Sequence, residues 1–345
     1  MAYFRDTIEK MDGYTPGFQP KDADAVKLNT NENPYPPSPM VTDAIRSVRD
    51  YQLRRYPDPM GGVFRQAAAE VLDVPAEWVL CVNGGDELLS MAFRAICDGD
   101  RPAAWAEPTY SLYPVLARIC GCEAITVGRD SDWVGDLADI NAALTIVCNP
   151  NAPTCEFTGV DKIASLAKRL SGIMLVDEAY VDFAEDNCLR LVREYPNVIV
   201  LRSMSKGYSL AGLRAGFGVA RPGIIEGLLK VKDSYNVDAV AIEAAAAALR
   251  DRRYHKECVG KIKTERQRLR LTLMEIGFDV PDSGTNFLLA RSAKQNAEAV
   301  FDELVKRGIY VRYFRLDGLQ DKLRITVGTA EQNDRLLSAL REITG

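Results

Sequence analysis

The sequence predicts an α/β fold: a large domain with a mostly parallel seven-stranded sheet flanked by helices, plus a smaller α+β domain. Three observations carry this. Between residues 79 and 220, short β-rich apolar runs alternate with segments of helical period, the pattern of repeated βαβ units. After Pro222 the texture turns helical before a short mixed tail. The 345 residues, 47% hydrophobic and 26% charged, can bury a large core but exceed what one compact domain usually holds.

The seven runs are VLCVN from Val79, AAWAE from Ala103, EAITV from Glu123, TIVCN from Thr145, IMLVDE from Ile173, VIVLRS from Val198 and AGFGVA from Ala215. Helical patterns such as DELLSMAFRAI and GVDKIASLAKRL fall between most of them. RPGIIEGLLKVK, an Ala-rich stretch at 238–250 and a charged amphipathic stretch at 254–276 then lead away from the sheet. The tail offers NFLLA, a helix AEAVFDELVKRG, GIYVRYF, LRITVG and a last helix EQNDRLLSALREI. The expected divisions are an N-terminal segment, 1–45, packing with the small domain; a large domain, 46–240; and a small C-terminal domain, 241–345. No repeat and no low-complexity linker interrupts this order.

Composition excludes several function classes. A formal charge of -5, with acids and bases mixed along the chain, leaves no basic stripe for a polyphosphate backbone, which argues against nucleic acid as a partner. The opening MAYFRDTIEKMDGYTPG has no apolar h-region, and no stretch approaches the roughly 20 apolar residues of a membrane span, so the expected location is the cytoplasm. Eight cysteines in such a chain are expected as reduced thiols. Cys120-Gly-Cys122 lacks C-x-x-C spacing, and His255 is the single histidine, so neither a metal cluster nor a histidine base is expected.

Ligands of open parallel sheets bind beyond the carboxyl ends of the strands, so the residues following each run matter most. VLCVN is followed by GGDE, AAWAE by PTY, TIVCN by PNAPT, IMLVDE by AY and VIVLRS by MSK. Lys206 follows a buried-looking strand, where partial desolvation keeps an amine nucleophilic and suited to imine formation with an aldehyde. By statistics alone a loop lysine is a solvated one. Ser203, Ser205 and Arg214 shift that balance, because two hydroxyls and a guanidinium together can bind a phosphate dianion. Asp177 ends an apolar run and needs a cationic partner, for which a pyridinium nitrogen would serve. The magnesium-holding aspartate of P-loop enzymes shows the same pattern, but G-x-x-x-x-G-K-[ST] is absent.

Gly84-Gly85-Asp86 precedes a helical pattern and could present backbone N–H groups to a phosphate; an ordinary turn capped by Asp86 is the plainer alternative. Tyr110 could stack on a flat heterocycle or sit in the core. Tyr180, three residues after Asp177, could donate its hydroxyl to a ring oxygen. Ser203-Met-Ser-Lys206 matches S-x-x-K of penicillin-binding hydrolases, but S-D-N and K-T-G are missing, and the run from Gly212 to Gly218 does not form G-x-G-x-x-G.

Taken in order, KLNTNENPYPPSP, RYPDP, NGGDELL, EPTYSLY, NPNAPT, LVDEAYVDF, LRSMSKGYSLAGLRAG, SYNV, NFLL, GIYVRYF and LRITVGT resemble the class I/II aminotransferases of pyridoxal-phosphate fold type I, and more closely the histidinol-phosphate aminotransferases. The match runs nearly end to end. The resemblance implies pyridoxal 5'-phosphate as cofactor, with Lys206 as the Schiff-base lysine, Asp177 as the pyridinium partner and Tyr180 as a donor to the ring O3′. It places Tyr110 on the ring, and Gly85, Asp86, Ser203, Ser205 and Arg214 on the phosphate. Tyr56 would reach the phosphate of a neighbouring subunit, implying a homodimer. Arg324 matches the arginine that takes the substrate carboxylate, while Arg312, Tyr14 and Asn236 resemble the groups around the substrate's far end.

One departure stands out: the family commonly has Asn-Asn-Pro-Thr-Gly, and here the position before Pro153 is Ala152 and the glycine is Cys155. Asn151 is the available substitute for the missing O3′ donor. The implied activity moves an amino group between L-histidinol phosphate and 2-oxoglutarate in histidine biosynthesis. An aromatic amino-acid aminotransferase or a threonine-phosphate decarboxylase would share every cofactor contact.

Overall fold

The computed structural model describes residues 3–345 except 23, 131, 293 and 294. Its centre is a seven-stranded sheet in the order Val79–Val82, Gly216–Ala220, Val198–Ser203, Ile173–Asp177, Leu144–Cys148, Ala103–Glu107 and Ala124–Gly128. All pairings are parallel except those of Gly216–Ala220, which runs antiparallel to both neighbours. The inner strands are apolar on both faces because helices cover both faces, and only the edge strand Ala124–Gly128 alternates between exposed and half-buried residues.

Register brings the chemistry to one edge. Asp177 lies opposite both Cys148 and Leu201, Gly216 opposite both Ser203 and Val82. The polar segments that follow these strands therefore converge on one side of the sheet.

Ala239–Arg250 packs on helices Pro39–Ser47 and Gly62–Leu72, and its alanines 241, 244, 245 and 248 sit in the large core. Small side chains let these helices approach closely, and Asp238 caps the first turn by accepting from the Ala241 amide. Asp251 then ends this helix and caps Arg252–Glu275, which carries the chain to the smaller unit.

That unit is an antiparallel sheet ordered Arg312–Tyr313, Lys322–Thr326, Phe287–Ser292 and Phe278–Asp279, backed by helices Ala297–Lys306 and Ala330–Thr344. Its core includes Leu269, Leu288, Leu304, Ile325 and Leu336. The N-terminal segment divides between the two units: Val26–Lys27 pairs with Ile309–Tyr310, whereas Val41 of helix Pro39–Ser47 joins the large core. Among the described residues, no helix is long and apolar enough to cross a membrane, and all eight cysteines are free thiols.

Candidate active site

A cavity of about 670 Å³ opens along the polar edge of the large sheet and is closed on its far side by the smaller unit. Lys206, Asp177, Tyr180, Tyr110, Gly85, Asp86, Ser203, Ser205, Arg214, Tyr14, Arg312 and Arg324 all line it. The site thus gathers five strand ends with two arginines of the small sheet.

At one end is an anion cup. Helix Gly85–Ile96 starts at Gly84, and its first turn receives no side-chain cap, so its leading N–H groups and the positive end of the helix are free for an acceptor. Gly84 has φ 79, a conformation that favours glycine, and a Cβ there would come within 2.7 Å of Arg214 Nη2 and push that guanidinium aside. Arg214 donates to Ser205 Oγ at 3.4 Å and to Asp86 Oδ2 at 3.1 Å, while Tyr110 donates to Asp86 Oδ1 at 3.1 Å. Guanidinium, hydroxyls and amides are thereby fixed around one small volume.

At the other end lies Asp177, buried and, among the described residues, without an ion-pair partner. Its Oδ2 accepts from Tyr113 at 2.7 Å and its Oδ1 from the Ala179 amide at 3.1 Å. Burial nevertheless pushes its carboxyl above the ordinary aspartate value. A cationic N–H arriving there would stabilise the ionised form.

Lys206 Nζ lies between these ends, donating to the Thr30 carbonyl at 3.2 Å and standing 5.7 Å from the centre of the Tyr180 ring. Burial, reinforced by the nearby Arg324 charge, lowers its amine to about 8. A substantial neutral fraction is then present near physiological pH, which an ordinary lysine lacks. Tyr180 is pushed up to about 12, chiefly by burial, and keeps its proton.

Arg324 donates to the Asn29 carbonyl at 2.8 Å, lies 5.2 Å from the Phe287 ring centre and 5.3 Å from that of Phe314, and has a buried Nε with no partner. A buried donor left unsatisfied among the described residues, on a guanidinium that lines the cavity, is suited to an incoming carboxylate. Arg312 stands 5.4 Å from the Phe314 ring centre.

Two expected contributors lie elsewhere, and Tyr56, expected at a neighbouring copy's site, is outside this chain's cavity. Asn151 is behind the wall: its amide is spent on Thr109 Oγ1, the Pro108 carbonyl, Thr154 Oγ1 and Arg129, so it does not take the place left by Ala152, which does line the cavity. Asn236 bonds Glu87 Oε2 and the Cys81 carbonyl, tying the helix start to its strand instead of facing the cavity. Tyr56 is exposed and stacks on Tyr235 at 4.3 Å, outside the cavity of this chain.

Sequence reading missed two groups. Tyr113, the donor to Asp177, lies in the first turn of helix Leu112–Cys120, three residues after Tyr110 in the segment that leads into it, and that second tyrosine was the available signal. The NTNEN run also enters the site: Thr30 meets Lys206, Asn31 meets Tyr180, and Asn33 donates to the Lys206 carbonyl at 3.1 Å.

Comparison with known proteins agrees with this geometry. The family model for aminotransferase class I and II matches residues 23–340. The chain is 47% identical over 345 residues to histidinol-phosphate aminotransferase 1 of Trichormus variabilis, covering 99% of each chain, and 43% identical to the histidinol-phosphate aminotransferase of Citrifermentans bemidjiense, again covering 99% of each. The crystal structure of histidinol-phosphate aminotransferase from Sinorhizobium meliloti in complex with pyridoxal-5'-phosphate superposes with a TM-score of 0.91 at 26% identity, covering all of this chain and 98% of that one.

Proposed function

The chain belongs to the class I and II aminotransferases, and from that premise we propose that it transfers an amino group between L-histidinol phosphate and 2-oxoglutarate, in histidine biosynthesis, with pyridoxal 5'-phosphate held on Lys206. The observation that carries this is the placement of Lys206, whose amine burial lowers to about 8, between a helix-start anion cup and a buried Asp177 that has no ion-pair partner among the described residues. The three parts match an aldehyde, a phosphate and a ring nitrogen held on one flat molecule. When bound, the pyridine ring serves as the electron sink for the carbanion formed at the substrate Cα.

This chain's residues then have separable tasks. The backbone amides of Gly85 and Asp86, with Ser203, Ser205 and Arg214, hold the phosphate, and Tyr110 packs on the ring. Asp177, oriented by Tyr113, keeps the ring nitrogen protonated, which maintains the sink. Tyr180 donates to the ring hydroxyl oxygen. Lys206 Nζ would hold the cofactor's aldehyde carbon, and as a free amine of lowered basicity it would be the base for the proton of substrate Cα near neutral pH. Arg324 binds the carboxylate of glutamate and 2-oxoglutarate, and Arg312 with Tyr14 faces the far end of histidinol phosphate.

The exposed Tyr56 is supplied to a second copy's phosphate site, so the working form is a homodimer. The cytoplasm is the compartment, in keeping with eight free thiols.

An amino-donor screen tests the reading. Histidinol phosphate should convert the visible absorbance of the bound cofactor most efficiently, ahead of phenylalanine and threonine phosphate. Preference for phenylalanine would make it an aromatic aminotransferase, release of carbon dioxide from threonine phosphate a decarboxylase, and no conversion by any donor, glutamate included, would remove the aminotransfer reading altogether.

A further inference from the structure

Asn31 is buried, with φ 56, a left-handed conformation that asparagine tolerates better than other side-chain-bearing residues do. Something must hold it there, and three bonds do. Its backbone N–H donates to Thr326 Oγ1 at 3.0 Å, its carbonyl accepts from Asn286 Nδ2 at 3.0 Å, and its Oδ1 accepts from Thr326 Oγ1 at 3.0 Å. Its remaining amide nitrogen lies 2.9 Å from the Tyr180 hydroxyl.

The bonds run in one direction: Thr326 Oγ1 accepts the Asn31 backbone proton and donates its own to Asn31 Oδ1. The Asn31 side chain is therefore oriented with its NH₂ toward Tyr180, and the Tyr180 oxygen is an acceptor. A tyrosine hydroxyl has one proton. With the oxygen accepting from Asn31, and no protein acceptor for that proton among the described residues, the proton is left to point into the cavity that Tyr180 lines.

We propose that Asn31 is a positioning residue: by donating to Tyr180 it forces the tyrosine to be a donor toward the ring hydroxyl oxygen of the cofactor, taking over the support that an asparagine before Pro153 would give and Ala152 cannot. This rests on the cofactor site proposed above. Asn31 lines the cavity beside Tyr180, and its anchor Thr326 is two residues from Arg324 on the same strand. The arrangement thus ties the electronic state of the cofactor to the strand that carries the substrate's carboxylate site.

The test reverses the polarity. Asn31→Asp keeps the shape but offers Tyr180 an acceptor, and the neighbouring Arg324, whose charge already bears on Tyr180, keeps that carboxylate ionised. Tyr180 should then turn its proton away from the cavity. In the enzyme carrying its cofactor, the pH midpoint of the visible absorbance should rise by roughly one unit, because a ring oxygen that loses a donor is more basic and retains the shared proton longer. In a Tyr180→Phe background the same substitution should move the midpoint little. A full shift retained in that background would mean a through-space charge effect and overturn the proposal, as would no shift from Asn31→Asp where Tyr180→Phe alone gives one. A midpoint unmoved by Tyr180→Phe would instead remove the donor role of Tyr180 from which the proposal starts. If Asn31→Asp does not fold, Thr326→Val, which frees the Asn31 amide to turn, should give a smaller rise, and none at all would overturn the proposal.

Discussion

Arg312 and Arg324 are directly opposed across one antiparallel strand pair, and both guanidiniums line the cavity beside the ring of Phe314. Like charges in that position repel, and Arg324, lowered first by burial, is lowered further by Arg312. Relief comes from an anion placed between or beside them. Arg324→Ala should cost the glutamate half-reaction about 100-fold in kcat/KM, on the scale of a lost charge-assisted bond, and the histidinol-phosphate half-reaction much less. Arg312→Ala should show the reverse preference. Single-turnover kinetics of each half-reaction read this, and equal losses in both would make Arg324 a structural residue.

Tyr113→Phe removes the donor to Asp177 without changing the packing against Trp105 and Tyr110. Burial already disfavours the ionised carboxylate, so losing this bond should raise the Asp177 pKa further and weaken its hold on the ring nitrogen. A fall in kcat of about tenfold is expected, from a bond worth roughly 1–1.5 kcal/mol. Loss of folding stability with kcat unchanged would confine Tyr113 to the core.

Gly84→Ala tests the anion cup. The added methyl must displace Arg214 and adopt an unfavourable φ, so the variant should bind cofactor at least tenfold more weakly while its large core stays intact. Equilibrium dialysis against free pyridoxal phosphate gives the affinity; an unchanged value would mean that Arg214 is dispensable to the cup.

How much of this was legible in the sequence follows from what each element touches. Inner strands such as Val198–Ser203 are buried on both faces and so read as unbroken apolar runs with a polar end, which located Lys206, Asp177 and Ser203 without any knowledge of neighbours. Direction is different: nothing in GFGVA marks it as the antiparallel strand, since that depends on the path of the chain and not on side chains. Asn151 and Ala152 are adjacent, and which of them faces the cavity is set by the conformation of the loop, which composition does not encode. Asn31 was invisible for a similar reason. Its partners Tyr180 and Thr326 are remote in sequence, so no local pattern points to them.

Cofactor-free protein should show the cost of burying Lys206. The folded amine titrates at about 8 against the usual 10.5, mainly through burial. Between these values the unfolded chain binds a proton that the folded chain does not, so stability rises with pH across this window, and below it the penalty is fully present. Lys206→Met, of similar length and no charge, should raise the melting temperature at pH 7 by roughly 2–4 °C per kcal/mol relieved, with the gain fading between pH 8 and 10.5. Calorimetry across that range checks it; a gain independent of pH would trace to packing.

Ala152→Asn addresses the departure from the family pattern directly. Asn151 is committed to Thr109, Thr154 and Arg129, so nothing in this loop replaces the missing side-chain donor, and Tyr180 supplies the support alone. Ala152 lines the cavity but also packs with Cys155, Tyr180 and Phe287, so the larger side chain must extend toward the cavity and not into that cluster. If it does, the ring oxygen gains a second donor, becomes less basic and releases the shared proton sooner. The visible absorbance of the bound cofactor should then titrate at lower pH than in the parent, by a fraction of a unit to about one unit, the opposite direction to that expected for Asn31→Asp. Superimposable titrations, alongside a crystal structure of the variant with its amide at the ring oxygen, would show that this oxygen does not respond to an added donor and would weaken the account of Tyr180 as well.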